Sequence, residues 1–166
     1  MTIHYFAYGS NLATHRILER IPKARVHKVA TLSAHQLCFH KNDSGQSGKC
    51  DIKATDDHSD IVYGVIYLIS EDCKTTLDYY EGHGFGYLSK TINVNTLDGE
   101  QVEALTYYAI DIDIIQQPYH WYKEHVLRGA REHNFPEHYI EWIEQQESID
   151  DADAERVRRE LAIYMD

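Results

Sequence analysis

Apolar, strand-like runs recur along this 166-residue chain as far as Ile110, and helical spacing takes over after Pro118. A succession of strands followed by a block of helices points to an α+β architecture. The clearest strand is the uninterrupted apolar run at 61–69, from Ile61 through Val65 and Ile66 to Ile69, whose length and β-branched content suit a buried element. Further strands are expected up to Ala7, over 24–39 as one long or two short elements, and over 50–55. Two more, at 87–96 and 101–110, are joined by an Asp98-Gly99 hairpin turn. The expected fold is a mixed, roughly five- to six-stranded sheet curled toward a barrel, with peripheral and C-terminal helices.

Helix signals punctuate this sheet. Ser10 and Asn11 are strong N-cap types ahead of a helix at 13–21, with Leu12, Ile17, Leu18 and Ile21 on its apolar side. Ser70 reads as the cap of a short helix with Glu71 and Asp72 in its first turn, ending at Gly82 as a C′ residue. Three helices follow at 120–133, 136–146 and 148–164, the last opened by a Ser-x-x-Asp box at Ser148. No repeat or linker divides the chain.

Charge and cysteine usage narrow the function classes. A net charge of −11 with scattered basic residues argues against nucleic acid as a partner. No apolar run is long enough to span a bilayer, and the N-terminus lacks the pattern of a secretory signal. Three cysteines, Cys38, Cys50 and Cys73, form no C-x-x-C pair and suit a reducing cytoplasm. The histidines fall in no H-x-x-x-H or H-E-x-x-H spacing, so no metal site is expected. There is no P-loop, and no G-x-G-x-x-G follows a strand into a helix.

Three segments carry candidate chemistry. The first, Tyr5-Phe6-Ala7-Tyr8-Gly9-Ser10-Asn11-Leu12, runs a buried strand through glycine into a helix start. Such a turn lets backbone approach a ligand and leaves the first helical N–H groups free to cradle an anion. An ordinary capped turn carries the same residues. The second, Leu77-Asp78-Tyr79-Tyr80-Glu81-Gly82, places Glu81 at a helix C-terminus. The helix dipole and burial among Tyr79, Tyr80 and Phe85 would raise its pKa toward the range useful for acid/base work, unless it is a solvated surface carboxylate. Asp78, three residues earlier, is the runner-up. The third is Tyr122 with Gly129-Ala130, where Tyr122 is either a pocket residue or one more packed phenol.

Together, in this order and spacing, the three segments resemble the γ-glutamylcyclotransferase family, from about Ile3 to Gln146. The domain is taken as 1–147, as far as this resemblance extends, with 148–166 as a C-terminal helical extension. Ser47 to Ile52 is similar to a further family element. The resemblance implies a cofactor-free enzyme of the same α+β fold that releases 5-oxoproline from a small γ-glutamyl substrate. It implies Glu81 as the catalytic base, and Tyr5, Phe6, Ala7, Tyr8, Gly9, Ser10, Asn11 and Tyr122 as the substrate-binding set. It also leaves room for a homodimer. Asn11 favours the γ-glutamyl amino acid branch, since the glutathione-specific and γ-glutamylamine branches resemble Tyr-Gly-Ser-Leu and Tyr-Gly-Thr-Leu at this place. The alternatives are a cyclotransferase for glutathione or γ-glutamyl amines, and a non-catalytic binding module of the same fold.

Overall fold

The computed structural model describes residues 1–165. Its strands are β1 (Thr2–Ala7), β2 (Arg25–Ser33), β3 (His35–Asp43), β4 (Ser47–Ala54), β5 (Ile61–Ser70), β6 (Tyr87–Thr96) and β7 (Gln101–Ala109). Its α-helices are α1 (Thr14–Arg20), α2 (Cys73–Glu81), α3 (His120–Glu132), α4 (Glu137–Gln145) and α5 (Ala154–Ala162).

Five of the strands close into a barrel in the order β1-β5-β2-β6-β7. The apolar run of β5 is buried because it is paired on both edges, antiparallel to β1 and to β2. Val62, Val65 and Ile66 are fully buried there. Closure comes from a parallel contact of β1 with β7 at Tyr5 and Leu105. The β6–β7 hairpin turns at the Asp-Gly signal, with Asn95 opposite Gln101. Residues 24–39 resolve into two strands, because Ala34 adopts a left-handed conformation (φ 57°) that swings β3 out of the barrel. β3 then pairs with β4 as a hairpin sheet outside the barrel, with an isolated bridge from Lys41 to Ile112.

The helix starts depart from the cap signals. Ser10–Leu12 forms a single 3-10 turn, and α1 begins only at Thr14 after Ala13, without a side-chain cap. Ser10 and Asn11 are not caps because their side chains are drawn to tertiary partners. Ser70 is the last residue of β5, and Asp72 takes the N-cap position of α2. Ser148 likewise pairs with Nδ1 of His120 at 2.6 Å. The last helix starts instead at Asp153, whose carboxylate accepts the Arg156 N–H at 3.0 Å. Leu12, Ile17 and Ile21 are buried as expected, whereas Leu18 faces outward at 38% exposure. Gly82 does end α2, left-handed at φ 63°.

Two close approaches fix the site. A Cβ on Gly129 would lie 2.2 Å from Leu12 Cβ and 2.6 Å from the Ala13 nitrogen. Only glycine lets α3 seat directly on the 3-10 turn. A Cβ on Gly9 would lie 2.9 Å from Cys50 Cβ, so the same turn also packs against β4. No helix among the described residues is long and apolar enough to cross a membrane.

Candidate active site

Where β1 leaves the barrel, Tyr8 and Gly9 carry the chain into the 3-10 turn and form one side of a cavity of about 30 Å³. Ser10 and Asn11 continue this wall, Tyr5 and Tyr107 line it from the barrel, and Glu81 reaches it from the end of α2. Cys50 on β4, Tyr87 on β6 and Tyr122 on α3 complete it. A second cavity of about 180 Å³ shares Ser10, Glu81, Tyr87 and Tyr122 with the first. Glu81 therefore lies on the partition between an inner and an outer chamber.

Asn11 organises the carboxylate. Its Nδ2 donates to Glu81 Oε1 at 3.1 Å and to Tyr5 Oη at 3.0 Å. Its Oδ1 accepts from Arg20 Nη1 at 3.0 Å, and since a guanidinium only donates, the amide can face only one way. Arg20 Nη1 is also 4.0 Å from Glu81 Oε1, and the carboxylate side chain is 16% exposed. The walls differ in part from those expected: Tyr79 and Tyr80 border the outer cavity but stand 81% and 46% exposed, and Phe85, at 88%, borders neither cavity. Glu81 is enclosed instead by Tyr5, Asn11 and Arg20.

The backbone is as informative as the side chains. Among the described residues the N–H groups of Gly9, Ser10 and Asn11 donate to no protein acceptor, while Leu12 and Ala13 bond back to the carbonyls of Gly9 and Ser10. Three unpaired donors next to a small cavity make an anion cradle. Around it, Tyr8 donates to the Tyr107 carbonyl at 2.6 Å and Tyr87 to the Cys50 carbonyl at 2.6 Å. Tyr122 Oη accepts the Cys50 N–H at 2.9 Å, which leaves its own proton to donate. Burial pushes the hydroxyls of Tyr5, Tyr8, Tyr87, Tyr107 and Tyr122 well above the usual phenol range, so all five remain neutral. Burial likewise raises the Cys50 thiol and keeps it protonated.

Asp78 is placed otherwise. It accepts from Lys74 Nζ at 2.8 and 3.0 Å and from Tyr107 Oη at 2.5 Å, and it does not line the cavity. Burial would raise its pKa, but the Lys74 and Tyr107 hydrogen bonds outweigh it and hold the carboxyl below its ordinary value. Such a group is a poor proton acceptor near neutrality and serves to anchor Tyr107.

The sequence matches the AIG2-like family over residues 61–143. It is 31% identical over 140 residues to the bovine (Bos taurus) protein named gamma-glutamylcyclotransferase, a match spanning 81% of this chain and 73% of that protein. The chain belongs to the γ-glutamylcyclotransferase family. The human (Homo sapiens) protein of the same name is 30% identical over 151 residues, spanning 88% of this chain and 79% of that one. A solved structure titled gamma-glutamyl cyclotransferase superposes with a TM-score of 0.86 at 27% identity, covering all of both chains.

Within this γ-glutamylcyclotransferase-family site, Tyr5, Tyr8, Gly9, Ser10, Asn11, Tyr122 and Glu81 converge on one cavity. Phe6 and Ala7 do not line it. The Phe6 ring is fully buried against Gly64 and Ala7 is in the core, because a barrel strand that brings Tyr5 to the site must also supply the interior. Tyr107 and Arg20 were missed by sequence reasoning. Tyr107 sits in an unexceptional hairpin strand, and only its place beside β1 in the closed barrel brings it to the site. Arg20 lies one helix length from Asn11 and carries no motif.

Proposed function

We propose that the chain is an enzyme catalysing intramolecular aminolysis of γ-glutamyl amino acids. The substrate's own α-amine attacks its γ-carbonyl, a five-membered lactam closes, and the C–N bond to the next amino acid breaks. The products are 5-oxoproline and a free amino acid. Because the nucleophile is tethered, the protein has to freeze one rotamer and move protons. Glu81 takes a proton from the α-ammonium, which makes the nitrogen nucleophilic, and returns a proton to the departing nitrogen. The open N–H groups of Gly9, Ser10 and Asn11 hold the substrate carboxylate or the oxyanion that develops on the γ-carbonyl. Tyr8 and Tyr122 wall the pocket, and the neutral Tyr122 hydroxyl donates into it.

One observation carries this reading: a carboxylate oriented by Asn11 stands 16% exposed on the partition between two chambers, beside a run of unpaired backbone donors. An inner chamber of about 30 Å³ has room for a carboxylate-sized end group, while the rest of the substrate passes Glu81 into the outer one. No step needs a metal or a cofactor. The free thiols of Cys38, Cys50 and Cys73 suit the reducing cytoplasm in which such an enzyme would work.

The test is release of 5-oxoproline from a panel of γ-glutamyl dipeptides, glutathione and γ-glutamyl amines, with Glu81→Gln beside the parent enzyme. Gln keeps the hydrogen bond to Asn11 and loses the proton acceptor, so turnover falls by at least about 10²-fold. Near-normal turnover in Glu81→Gln would remove Glu81 from the chemistry, and no 5-oxoproline from any member of the panel would leave a binding module.

A further inference from the structure

In a chain of net charge −11, the outer chamber is lined by four cations, Arg16, Arg20, Lys41 and Lys49, against the carboxylates of Asp43 and Glu81. Two of the four are committed elsewhere. Arg16 is paired with Glu160 at 2.5 Å, and Arg20 with Asn11 and Glu81. Lys41 and Lys49 share one carboxylate, Asp43, at 3.9 and 3.3 Å. Among the described residues Asp43 is the one carboxylate within 4 Å of either ammonium, with Asp111 and Glu81 acting on Lys41 from farther off.

The hairpin that holds these lysines is built against their repulsion. Lys41 and Lys49 are direct cross-strand partners in β3 and β4, so they project from the same face. Like charges placed opposite each other destabilise a hairpin, and a local rule broken without a structural return marks a functional position. A bulge between Cys38 and Lys41 shifts the register just before the first of them, and bulges re-aim side chains. The Lys41 side chain is only 11% exposed, its stem lies across Gly86, and its Nζ stands 5.1 Å from the Tyr87 ring centre. Burial and the neighbouring Lys49 lower its pKa against the opposing pull of Asp43, Asp111 and Glu81.

We propose that Lys41, backed by Lys49, is the specificity-determining residue for the leaving group, binding the α-carboxylate of the amino acid that departs. The inference rests on the cyclotransferase reading above, which puts the glutamyl end in the inner chamber and the scissile bond at Glu81. The departing half then lies in the outer chamber, where its carboxylate is two bonds from the nitrogen that leaves. A γ-glutamyl amine puts nothing anionic there and leaves the half-buried ammonium with only the long contact to Asp43.

The experiment compares γ-glutamyl-L-alanine with γ-glutamyl-L-alaninamide, twins that differ in that one charge. The parent enzyme favours the acid by at least about tenfold in kcat/KM, carried mainly by KM, as a charge-assisted contact predicts. In Lys41→Gln the ratio falls toward one, in Lys49→Gln it falls part of the way, and Lys41→Arg keeps most of it. Calorimetric binding of both twins to Glu81→Gln reads the same selectivity without turnover. Selective binding with no 5-oxoproline released by the parent enzyme would therefore overturn the reaction and uphold the carboxylate subsite. Equal kcat/KM for the twins, equal binding, or a ratio unchanged in both glutamine variants would overturn Lys41's role.

Discussion

Asn11 commits both polar atoms of its side chain to three neighbours that all bear on the site: Glu81, Tyr5 and Arg20. Its side chain thus holds the carboxylate, while its backbone N–H stays open to the cavity. Asn11→Leu keeps the volume and orphans three buried or half-buried groups. Each unsatisfied partner costs about 1–3 kcal/mol, so a lowered thermal midpoint is expected, together with a kcat loss that exceeds the change in KM because Glu81 loses its orienting contact. A kcat close to the parent's would show that the carboxylate is positioned without this amide. At this scale the sequence was legible where a motif gathers the cavity lining, as at Gly9, Asn11, Glu81 and Tyr122. It was silent for Tyr107 and Arg20, which reach the site only through barrel closure and helix packing.

At the scale of elements, the 3-10 turn, α1 and α3 behave as one unit. Gly129 is what lets α3 rest on Leu12 and Ala13, so the separated Tyr8-Gly9-Ser10-Asn11 and Gly129-Ala130 segments are two halves of one contact. The helices themselves were readable from apolar spacing, and their starts were not, for a reason Ser10 makes plain. A serine before a helix caps it only if no stronger donor competes. Arg16 Nε donates to Ser10 Oγ at 3.1 Å and removes it from the cap. Ser10→Ala should therefore cost little as a lost cap and something as an unpaired Arg16 donor, roughly 1–2 kcal/mol in unfolding free energy with KM raised. Gly129→Val is the sharper test of the interlock: its added atoms meet the backbone of the turn, and overpacking of this kind costs typically 1–3 kcal/mol or more. Urea unfolding measures both, and a Gly129→Val chain as stable and active as the parent would mean that α3 can back away from the turn.

At the scale of the whole molecule, the barrel was only partly foreseeable. Strand identities follow from local apolar runs, but closure depends on β1 meeting β7, in parallel register at Tyr5 and Leu105 and with Thr106 Oγ1 donating to the Phe6 carbonyl, a hundred residues apart in sequence, and no local pattern encodes it. The C-terminal segment shows the same dependence on distant partners. Within the described residues no group of three or more His, Cys, Asp or Glu side chains is placed to hold a metal. Exhaustive dialysis against EDTA should accordingly leave turnover intact, and loss of activity restored by zinc would replace the acid/base mechanism with a metal-dependent one.

The last helix is tied to the site by a buried polar chain, and that chain sets an acid limit on the fold. Arg16 Nη1 donates to Glu160 at 2.5 Å and lies 3.1 Å from His125 Nε2. Nε2 thus faces both a donor, Arg16 Nη1, and an acceptor, Glu160 Oε2 at 3.2 Å, while Nδ1 pairs with Tyr164 Oη. Burial, with Arg16 beside it, pulls the His125 pKa down from 6.5 to about 4 against the opposing pull of Glu160. The imidazole is therefore neutral at pH 7. For Glu160, burial alone would raise the pKa, but its contacts to His125 and Arg16 prevail and hold it at about 2. With His125 neutral, Arg16 supplies the charge. The signs agree for both groups. The unfolded chain takes up its proton on His125 near pH 6.5 and the folded chain only near 4, so stability is lost as pH falls across that window, by up to roughly 3 kcal/mol. Glu160 extends the loss from the ordinary carboxylate range down to about pH 2. The thermal midpoint should thus fall between pH 6.5 and 4. His125→Asn, which keeps a polar group near Tyr164 and cannot titrate, should start less stable and show a flatter slope over that interval. An identical slope in parent and variant would place the acid sensitivity in some other group.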